Sequence, residues 1–370
     1  MQRVSIRDVV GALGLENGMT PCELPSISVI VAVRESSVEP ACLSSIARSK
    51  FPCEKLEILT AAGDNPSAQR NRAIDRATGD ILYFVDDDSV IAPRTLLNLV
   101  HAFEDYPDIA GVGGPSVGIY DGTPFQKCAA MAMGSVFGFG PLRHRYYPSG
   151  CPRLSSEHEL ILSNLAVKRS VLEQAGRFNT RLYPSEEAEL IRRLELRGHR
   201  FLYHPGVVVS RPARENLFEL ALQVYRYGSS RAKHLKIRAH QPNVLIFLPS
   251  LFCLYLTLAA VFGLRHPVAL SSLNPLLAVV LLGPLAAYCA LTAAASAYAG
   301  LSVGRRKTRT FLSLLAIYPT IHVGYGIGMI RGFFSSTVHE LSARTIELSQ
   351  WKQLDEGANM LWRRSSAASE

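Results

Sequence analysis

The sequence predicts an α/β domain with a parallel β-sheet, followed by a region of membrane-spanning helices. Between residues 27 and 105, short β-branched segments alternate with segments of helical length. Three long runs without formal charge fill most of the chain between residues 244 and 330. These two observations give the fold class. A third observation, three adjacent aspartates at Asp86–Asp88 directly after a predicted strand, gives the place to look for function.

The strands and helices of the first domain are predicted in turn. Typical strand segments are ISVIVAV, LEILTAA and DILYFV, and typical helical segments are ACLSSIARS, SAQRNRAIDRAT and PRTLLNLVHAFED. Their alternation favours a parallel sheet with helices on both faces, in which ligands bind beyond the carboxyl ends of the strands. No GxGxxG follows the first strand and no GxxxxGK[ST] occurs, which argues against dinucleotide-binding and phosphate-loop sites.

The apolar runs extend over Val244–Leu264, Pro267–Gly304 and Thr310–Ile330. A bilayer core needs about 20 apolar residues as helix, so each run can span it. Buried core helices of a soluble protein are the alternative, but such helices are usually shorter than these runs and carry some charge. The middle run can also form a two-helix hairpin, with Pro275 and Pro284 as possible break points.

The net charge of +8 is concentrated beside these runs. One acid-free basic cluster precedes the first run and another precedes the last, which favours the positive-inside rule and membrane lipids over nucleic acid as partner. We therefore expect a cytoplasmic first domain and a third span that points outward, leaving residues 335–370 outside unless that span is re-entrant. The clusters are Arg226, Arg231, Lys233, Lys236 and Arg238, and Arg305, Arg306, Lys307 and Arg309.

The amino terminus and the cysteines also favour a cytoplasmic domain. The first 25 residues lack the long apolar region and the cleavage site of a signal peptide. The seven cysteines form no CxxC pair and no metal-binding spacing with histidine, so we expect reduced thiols.

The aspartate triplet has two explanations. If the chain stays extended, Asp86 and Asp88 point to one side and Asp87 to the other, and the pair can hold Mg²⁺ or Mn²⁺ with a substrate diphosphate. A solvated acidic turn is the alternative. The five apolar residues Ile81–Val85 before the acids favour the metal.

A second acidic group begins the segment SEEAELIRRLELRG. Ser185 suits an N-cap, Glu186 and Glu187 lie in the first turn, and Gly198 follows the last turn. The two glutamates can simply complement the helix dipole, which is worth about 0.3–1 kcal/mol. Alternatively, one of them is a catalytic base kept ionised by that dipole.

Several ordered motifs resemble the family 2 inverting glycosyltransferases, most of all the membrane-bound bacterial enzymes of exopolysaccharide assembly of the succinoglycan glucosyltransferase type. The motifs are SVIVAVRESS, CLSSI, NPSAQRNRAIDRATGDILYFVDDDSVIAP, SNLAVKRSVLEQAGRFN, SEEAELIRRLELRGHRF and QVYRYGSSRA. The resemblance covers about residues 26 to 235, and trailing membrane helices are also typical of the family.

The resemblance implies a GT-A nucleotide-sugar-binding fold at residues 26–240, after a lead at 1–25 and before membrane helices at 241–334 and a tail at 335–370. It implies an Mg²⁺ or Mn²⁺ site at the D-x-D pair and a general base at Glu187, with Glu186 as the alternative base. Glu187 stands where the family usually has Asp, and Tyr227 where it has Trp, which weakens the case for a processive synthase. The implied residues are, for metal, Asp86 and Asp88; for nucleotide and donor, Asp64, Arg70, Asn71, Asp86 and Arg226; and for the acceptor or donor side, Asn164, Gln223 and Tyr227.

The expected function is inverting transfer of a sugar from a UDP-sugar to a lipid-linked saccharide, at the cytoplasmic face of the inner membrane. A polyprenyl-phosphate sugar synthase, which has little need of a base, and a catalytically silent assembly scaffold remain alternatives. Residues 125–148, rich in aromatic and basic residues, are explained equally well as a membrane-interface segment that admits the acceptor or as a core helix with a loop.

Overall fold

The computed structural model of the protein describes residues 2–4, 24–33, 40–180, 186–237, 244–265, 275–301 and 307–335. The chain divides into two compact units that interleave along the sequence. The first, here called the sheet unit, contains the described residues up to Gly113 and Leu162–Val207. The second, the helical unit, contains Gly114–Ile161 and Val208–Ser335. The functional domain boundaries predicted from the sequence stay predictions.

The described part of the chain contains strands and helices that we number in chain order. The strands are β1 (Gln2–Val4), β2 (Ile27–Val33), β3 (Leu56–Ala62), β4 (Ile81–Asp86), β5 (Val90–Ile91), β6 (Ile109–Gly113), β7 (Ser116–Gly118), β8 (Arg153–Ser155), β9 (Asn164–Lys168), β10 (Arg200–Tyr203) and β11 (Val209–Arg211). The helices are α1 (Ala41–Ala47), α2 (Pro66–Ile74), α3 (Thr95–Asp105), α4 (Pro124–Met133), α5 (Val136–Phe139), α6 (Arg169–Ala175), α7 (Glu186–Glu195), α8 (Leu217–Ile237), α9 (Leu248–Arg265), α10 (Pro275–Leu301) and α11 (Lys307–Phe334). Short 3₁₀ helices cover Cys53–Lys55, Gly140–Arg145 and Val244–Phe247.

Seven strands of the sheet unit form a mixed β-sheet in the order β1-β3-β2-β4-β9-β6-β10. Strand β2 lies parallel between β3 and β4, and its Val31 pairs with Thr60 and Val85. Strand β9 is antiparallel to both β4 and β6, and β10 is parallel to β6. The parallel sheet predicted from the sequence is confirmed at its centre. The alternation of strands and helices does not predict the direction of β9, because β9 follows the long segment that belongs to the helical unit.

The predicted elements of the sheet unit agree closely with the observed ones. Strands β2 and β3 have the predicted bounds, and β4 begins one residue later than predicted and ends at Asp86. Strand β4 is fully apolar up to Val85 and buried along that length, as expected for a strand covered on both faces. Asp86 therefore lies at the carboxyl end of a buried, well-packed strand.

The helical unit is built around a core shared by α4, α8 and α11. Buried side chains from all three helices pack together, and β7 and β11 form a parallel pair in the same unit. Helix α4 begins with a capping box in which Thr123 and Gln126 bond each other's backbone N–H groups. The core residues are Cys128, Ala129, Ala132, Met133, Leu220, Val224, Leu314, Ile317, Tyr318 and Ile321. Within residues 125–148, α4 is thus a core helix, as one of the two interpretations expects.

Three helices are long and apolar enough to cross a membrane: Val244–Arg265, Ala278–Leu301 and Lys307–Phe334. They coincide with the three apolar runs of the sequence and indicate membrane association. Helix α10 continues through Pro284, so a hairpin broken at that proline is wrong. The three helices differ in burial. Within the most apolar stretch of each helix, 6% is buried in each of the first two helices and 33% in the third.

Candidate active site

The aspartate triplet lies at the end of β4 and in the turn that follows. Asp86 is the last residue of the strand, and the Ser89 N–H donates to its carbonyl at 3.1 Å, which closes a turn over Asp87 and Asp88. The chain therefore turns after Asp86 instead of staying extended. Asp86 and Asp88 were expected to point to the same side because side chains alternate along a strand, and this expectation does not apply to a turn. The turn instead directs the Asp88 carboxylate inward, since its Oδ1 atom is buried.

A buried arginine joins this strand end to a second acidic segment. Arg70, on α2, is 5% exposed. Its Nη2 atom donates to Asp86 Oδ1 at 3.1 Å, and its Nη1 atom donates to Glu186 Oε1 at 2.7 Å. Residues from three distant parts of the sequence, Arg70, Asp86 and Glu186, thus form one charged cluster. We call it the Arg70 bridge.

Helix α2 holds Arg70 in place through its neighbours. Asn65 caps the helix by accepting the Ala68 N–H at 3.1 Å. The buried Gln69 side chain donates to the Val33 carbonyl at 2.8 Å and to the Ala61 carbonyl at 2.5 Å, near the ends of β2 and β3. Sequence reasoning missed Gln69, although its place between a strand end and the predicted RN motif is a signal that could have identified it.

Asn71 and Asn164, both predicted to contact substrate, make hydrogen bonds within the sheet unit. The Asn71 amide donates to the Phe178 carbonyl at 2.9 Å and accepts the Phe178 N–H at 3.0 Å. Asn164 is fully buried, accepts the Tyr83 hydroxyl at 2.7 Å and donates to the Val207 carbonyl at 2.8 Å. Both side chains therefore stabilise the walls of the site, and their predicted contact with substrate stays a prediction.

Glu186 and Glu187 begin α7, as the sequence predicts, and both are buried. The predicted N-cap, Ser185, lies outside the described residues. Burial raises the pKa of Glu186 to about 7; Arg70 opposes this shift, and Glu187 adds to it. Glu186 accepts a bond from Arg70, and the predicted role of either glutamate as a base stays a prediction.

The remaining predicted residues are Asp64 in the sheet unit and three residues of α8 in the helical unit. Asp64 is exposed in the turn between β3 and α2. Gln223, Arg226 and Tyr227 lie on successive turns of α8 in the helical unit, where the Gln223 amide donates to the Tyr227 hydroxyl at 3.0 Å. Arg226 is exposed. Their predicted roles toward substrate stay predictions.

The carboxylates of the turn suit a hard divalent cation. Mg²⁺ and Mn²⁺ in nucleotide sites take one or two carboxylates from the protein and complete their octahedral shell with water and substrate phosphates. Asp86 and Asp88 supply two such groups, and Arg70 fixes the first of them. Among the residues that the structure describes, no group of three or more His, Cys, Asp and Glu side chains could hold a metal alone. The predicted role of Asp86 and Asp88 as metal ligands stays a prediction.

Comparison with known proteins gives a family and a fold. Residues 37–174 match the family model described as Glycosyl transferase family 2. This range contains Asp64, the Arg70–Asn71 pair, the aspartate triplet and Asn164, and it ends before α7. No curated protein matches the sequence.

Two of the solved structures that match the chain are described here. The mannosyltransferase PcManGT from Pyrobaculum calidifontis, in complex with GDP-Man and Mn²⁺, is 16% identical, with a TM-score of 0.50 over 89% of this chain and 93% of that one. GalNAc-T7 with UDP, GalNAc and Mn²⁺ is 13% identical, with a TM-score of 0.38 over 60% of this chain and 52% of that one. Residues 37–174 are therefore similar to glycosyl transferase family 2, and the mixed α/β fold matches the GT-A glycosyltransferases.

Proposed function

We propose that this protein transfers a sugar, with inversion, from a nucleotide-sugar to a lipid-linked saccharide at the cytoplasmic face of the inner membrane, in the assembly of an exopolysaccharide. The Arg70 bridge carries the proposal. It holds a strand-end carboxylate and the first turn of α7 in one cluster. An inverting transfer needs these two functions, namely charge neutralisation on the leaving-group side and a base on the acceptor side.

Asp86 and Asp88 would hold Mg²⁺ or Mn²⁺, which supplies positive charge to the departing diphosphate when it is bound. Asp64, exposed in the turn after β3, is within the part of the sheet edge where the nucleotide is expected. Arg70 orients the Asp86 carboxylate, since its Nη2 atom donates to Asp86 Oδ1 at 3.1 Å.

Glu187 would accept the proton of the acceptor hydroxyl. As the proton leaves, the acceptor oxygen attacks the anomeric carbon, the bond from that carbon to the diphosphate oxygen breaks, and its electron pair departs with the diphosphate. Glu187 lies in the first turn of α7. Glu186 is the alternative base, but its bond to Arg70 would have to be given up first.

Membrane attachment and the basic clusters support a lipid-linked acceptor. The chain contains three long apolar helices with basic flanking residues, which are expected to hold it at the membrane surface. A lipid-linked substrate would be located at the same surface. The donor nucleotide is proposed as UDP by family resemblance. The GDP-Man complex of PcManGT makes GDP the second nucleotide to test.

The first experiment measures nucleotide binding in nanodiscs by calorimetry, with UDP and with GDP, with and without Mn²⁺. We expect Mn²⁺ to tighten binding of one nucleotide at least about tenfold, since the metal bridges protein and diphosphate. Asp88→Ala should abolish this gain. Asp108→Asn, which removes a charge from an exposed surface pair with Arg200, is the matched control and should retain it. If Mn²⁺ tightens neither nucleotide in the wild-type protein, the metal role of the pair is wrong.

A further inference from the structure

Two tyrosine hydroxyl groups belong to a short chain of hydrogen bonds in the helical unit. On α8, the Gln223 amide donates to the Tyr227 hydroxyl at 3.0 Å. The Tyr227 hydroxyl is also hydrogen-bonded to the hydroxyl of Tyr146, which directly follows the 3₁₀ helix Gly140–Arg145. A tryptophan at position 227 could not accept the amide bond, because its indole N–H only donates. The Tyr227 hydroxyl is thus positioned by partners from two parts of the chain.

The two hydroxyl groups have one proton more than their mutual bond uses. A single O–H···O bond between Tyr146 and Tyr227 takes one of their two hydroxyl protons, and Gln223 is itself a donor to the pair. Among the residues that the structure describes, no further acceptor bonds either hydroxyl. Burial raises the pKa of Tyr146 well above its ordinary value, so this hydroxyl stays protonated. One O–H of the pair is therefore available to donate to a ligand.

Two arginines act on the same pair. The positive charges of Arg145 and Arg211 both act on the Tyr146 hydroxyl, where they oppose the effect of burial on its pKa. Arg145 is anchored by backbone carbonyls, since its Nε atom donates to that of His158 at 3.2 Å and its Nη2 atom to that of Glu157. These two acceptors are neutral, so the bonds orient the guanidinium without cancelling its charge.

The acidic side chain in this region faces other partners. The Glu157 carboxylate lies 3.9 Å from Arg231 and 3.6 Å from His158, and it is 2% exposed. Arg231 thus offsets the buried charge of Glu157, while Arg145 and Arg211 direct positive charge to the tyrosine pair.

This group of side chains suits an oxyanion that reaches it from outside. Arg145, Arg211, Gln223 and Tyr227 are each half-buried, so a ligand can contact them. Arginine donates several N–H bonds in a fork that matches phosphate oxygens, and a tyrosine O–H adds a further donor. A site built from donors and positive charge favours a ligand that only accepts, as a phosphate does, over a sugar hydroxyl, which also donates.

The position of α8 favours a phosphate that is attached to a lipid. The helical unit contains the three long apolar helices, and α8 packs against α11, one of them, at backbone contact. A Cβ atom on Gly328 of α11 would lie 2.1 Å from the carbonyl oxygen of Tyr225, two residues before Tyr227. The tyrosine pair is therefore on a helix that borders a candidate membrane helix.

We propose that Arg145, Arg211 and the Tyr146–Tyr227 pair bind the phosphate or diphosphate group that links the acceptor saccharide to its lipid. The proposal rests on the lipid-linked acceptor of the proposed function, and it adds where the anionic part of that acceptor is held. No bond is formed or broken at this site. Its residues position the acceptor.

The test measures binding of farnesyl diphosphate to the full chain by calorimetry, in EDTA and without nucleotide. The protein is held in phosphatidylcholine nanodiscs, and empty nanodiscs give the background. We expect farnesyl diphosphate to bind at least about tenfold more tightly than farnesol, which has the same chain without phosphates, because bonds to charged groups are strong. Equal affinities overturn the proposal.

Variants then locate the site. Arg145→Gln and Arg211→Gln should each weaken binding of farnesyl diphosphate about 10–100-fold. Arg143→Gln removes a half-buried arginine from the same 3₁₀ helix and is the matched control, with wild-type affinity expected. If the first two variants do not fold, Tyr146→Phe combined with Tyr227→Phe decides, since it keeps both rings and removes both hydroxyls. Wild-type affinity in that double variant overturns the proposal.

Two further arms separate the sources of phosphate. Nanodiscs that contain phosphatidylglycerol should still bind farnesyl diphosphate; loss of binding would assign the site to bilayer headgroups and overturn the proposal. Saturating UDP with Mn²⁺, compared with Mn²⁺ alone, should not displace farnesyl diphosphate; displacement would assign the arginines to the donor and also overturn it.

The outcome is distinguishable from that of the proposed function. The binding measurement uses neither nucleotide nor metal, so its failure would leave the roles proposed for Asp86 and Asp88 untouched. Conversely, loss of the metal role at that pair would leave the affinity for farnesyl diphosphate unchanged.

Discussion

Two buried arginines show how differently the two units use charge. Arg70 in the sheet unit bonds two carboxylates from different elements at 2.7 and 3.1 Å, at the edge where a substrate is expected. Arg231 in the helical unit faces Glu157 at 3.9 Å, and both side chains are buried. Arg70 thus connects separate elements by short hydrogen bonds, whereas Arg231 and Glu157 form a longer pair that offsets the cost of burying each charge. Burial alone therefore does not identify a functional arginine.

The largest effect on activity should come from Glu187→Gln, beside the Arg70 bridge. Loss of the base should lower kcat by about 10²–10⁴-fold while nucleotide binding is retained. Glu189→Gln, on the same helix, breaks a pair with Arg193 and serves as the matched control. Radiolabelled sugar transfer measures both variants. A loss below about tenfold for Glu187→Gln would favour transfer to a polyprenyl phosphate, which needs no base.

Arg70→Met and Arg231→Met compare the two arginines directly. Arg70→Met should remove most of the Mn²⁺-dependent gain in nucleotide affinity, because Asp86 loses its partner. Arg231→Met should leave nucleotide affinity unchanged but destabilise the protein by about 3–5 kcal/mol, since removing one partner breaks a buried ion pair. Calorimetry and thermal unfolding in nanodiscs separate the outcomes. If Arg231→Met lost nucleotide affinity without loss of stability, the distinction between the arginines would be wrong.

Adding Glu157→Gln to Arg231→Met sharpens the comparison. Since the remaining buried charge is then removed, the double variant should recover part of the lost stability. If the double variant unfolds at a still lower temperature, Glu157 stabilises the helical unit through other partners.

Gly328→Ala should have an intermediate effect, confined to the helical unit. Its Cβ would meet the Tyr225 backbone, which cannot rotate away as a side chain could, so we expect destabilisation by about 1–3 kcal/mol. Gly283→Ala is the control, because the nearest heavy atom to that Cβ lies at 3.8 Å. Equal melting temperatures for the two variants would contradict the contact between α8 and α11.

The smallest effect should be a pH dependence from Glu186. Because burial raises its pKa to about 7 in the folded protein, the stability from this group is fully present below the unfolded pKa near 4.5 and is lost as pH rises toward 7. Glu186→Gln should therefore flatten the melting temperature between pH 4.5 and 7, by a few degrees at most. Parallel curves for wild type and variant would show that Glu186 does not titrate in this range.

The sequence predicts the centre of the sheet well, since β2 and β3 are short, β-branched and bounded by turns. It also predicts which carboxylates end β4 and begin α7. It does not predict that Arg70 joins them. Asp86 is 16 positions from Arg70 and Glu186 is 116 positions away, so their contact depends on tertiary packing. The direction of β9 was missed for a related reason, and the turn at Asp87–Asp88 was only the alternative to an extended chain. Local alternation carries no information about long connections or about where a strand stops pairing.

The membrane helices show a different limit. Length and apolar composition identify α9, α10 and α11 as candidate spans, although the mean hydropathy falls from 2.4 to 1.9 to 1.3. The sequence does not show that the glycines of α11 admit the backbone of α8. A charge-free run is compatible with lipid on all sides or with protein on one side, and only packing distinguishes these cases.

The hydrogen bonds of Gln69 have a consequence for the thermodynamics of substrate recognition. This one amide fixes α2 to the ends of two strands, so the neighbouring Arg70 loses its conformational freedom when the chain folds. The entropy of ordering the site is then already lost before a donor arrives. We expect nucleotide binding to proceed with little conformational adjustment of α2, because this part of the site is preorganised.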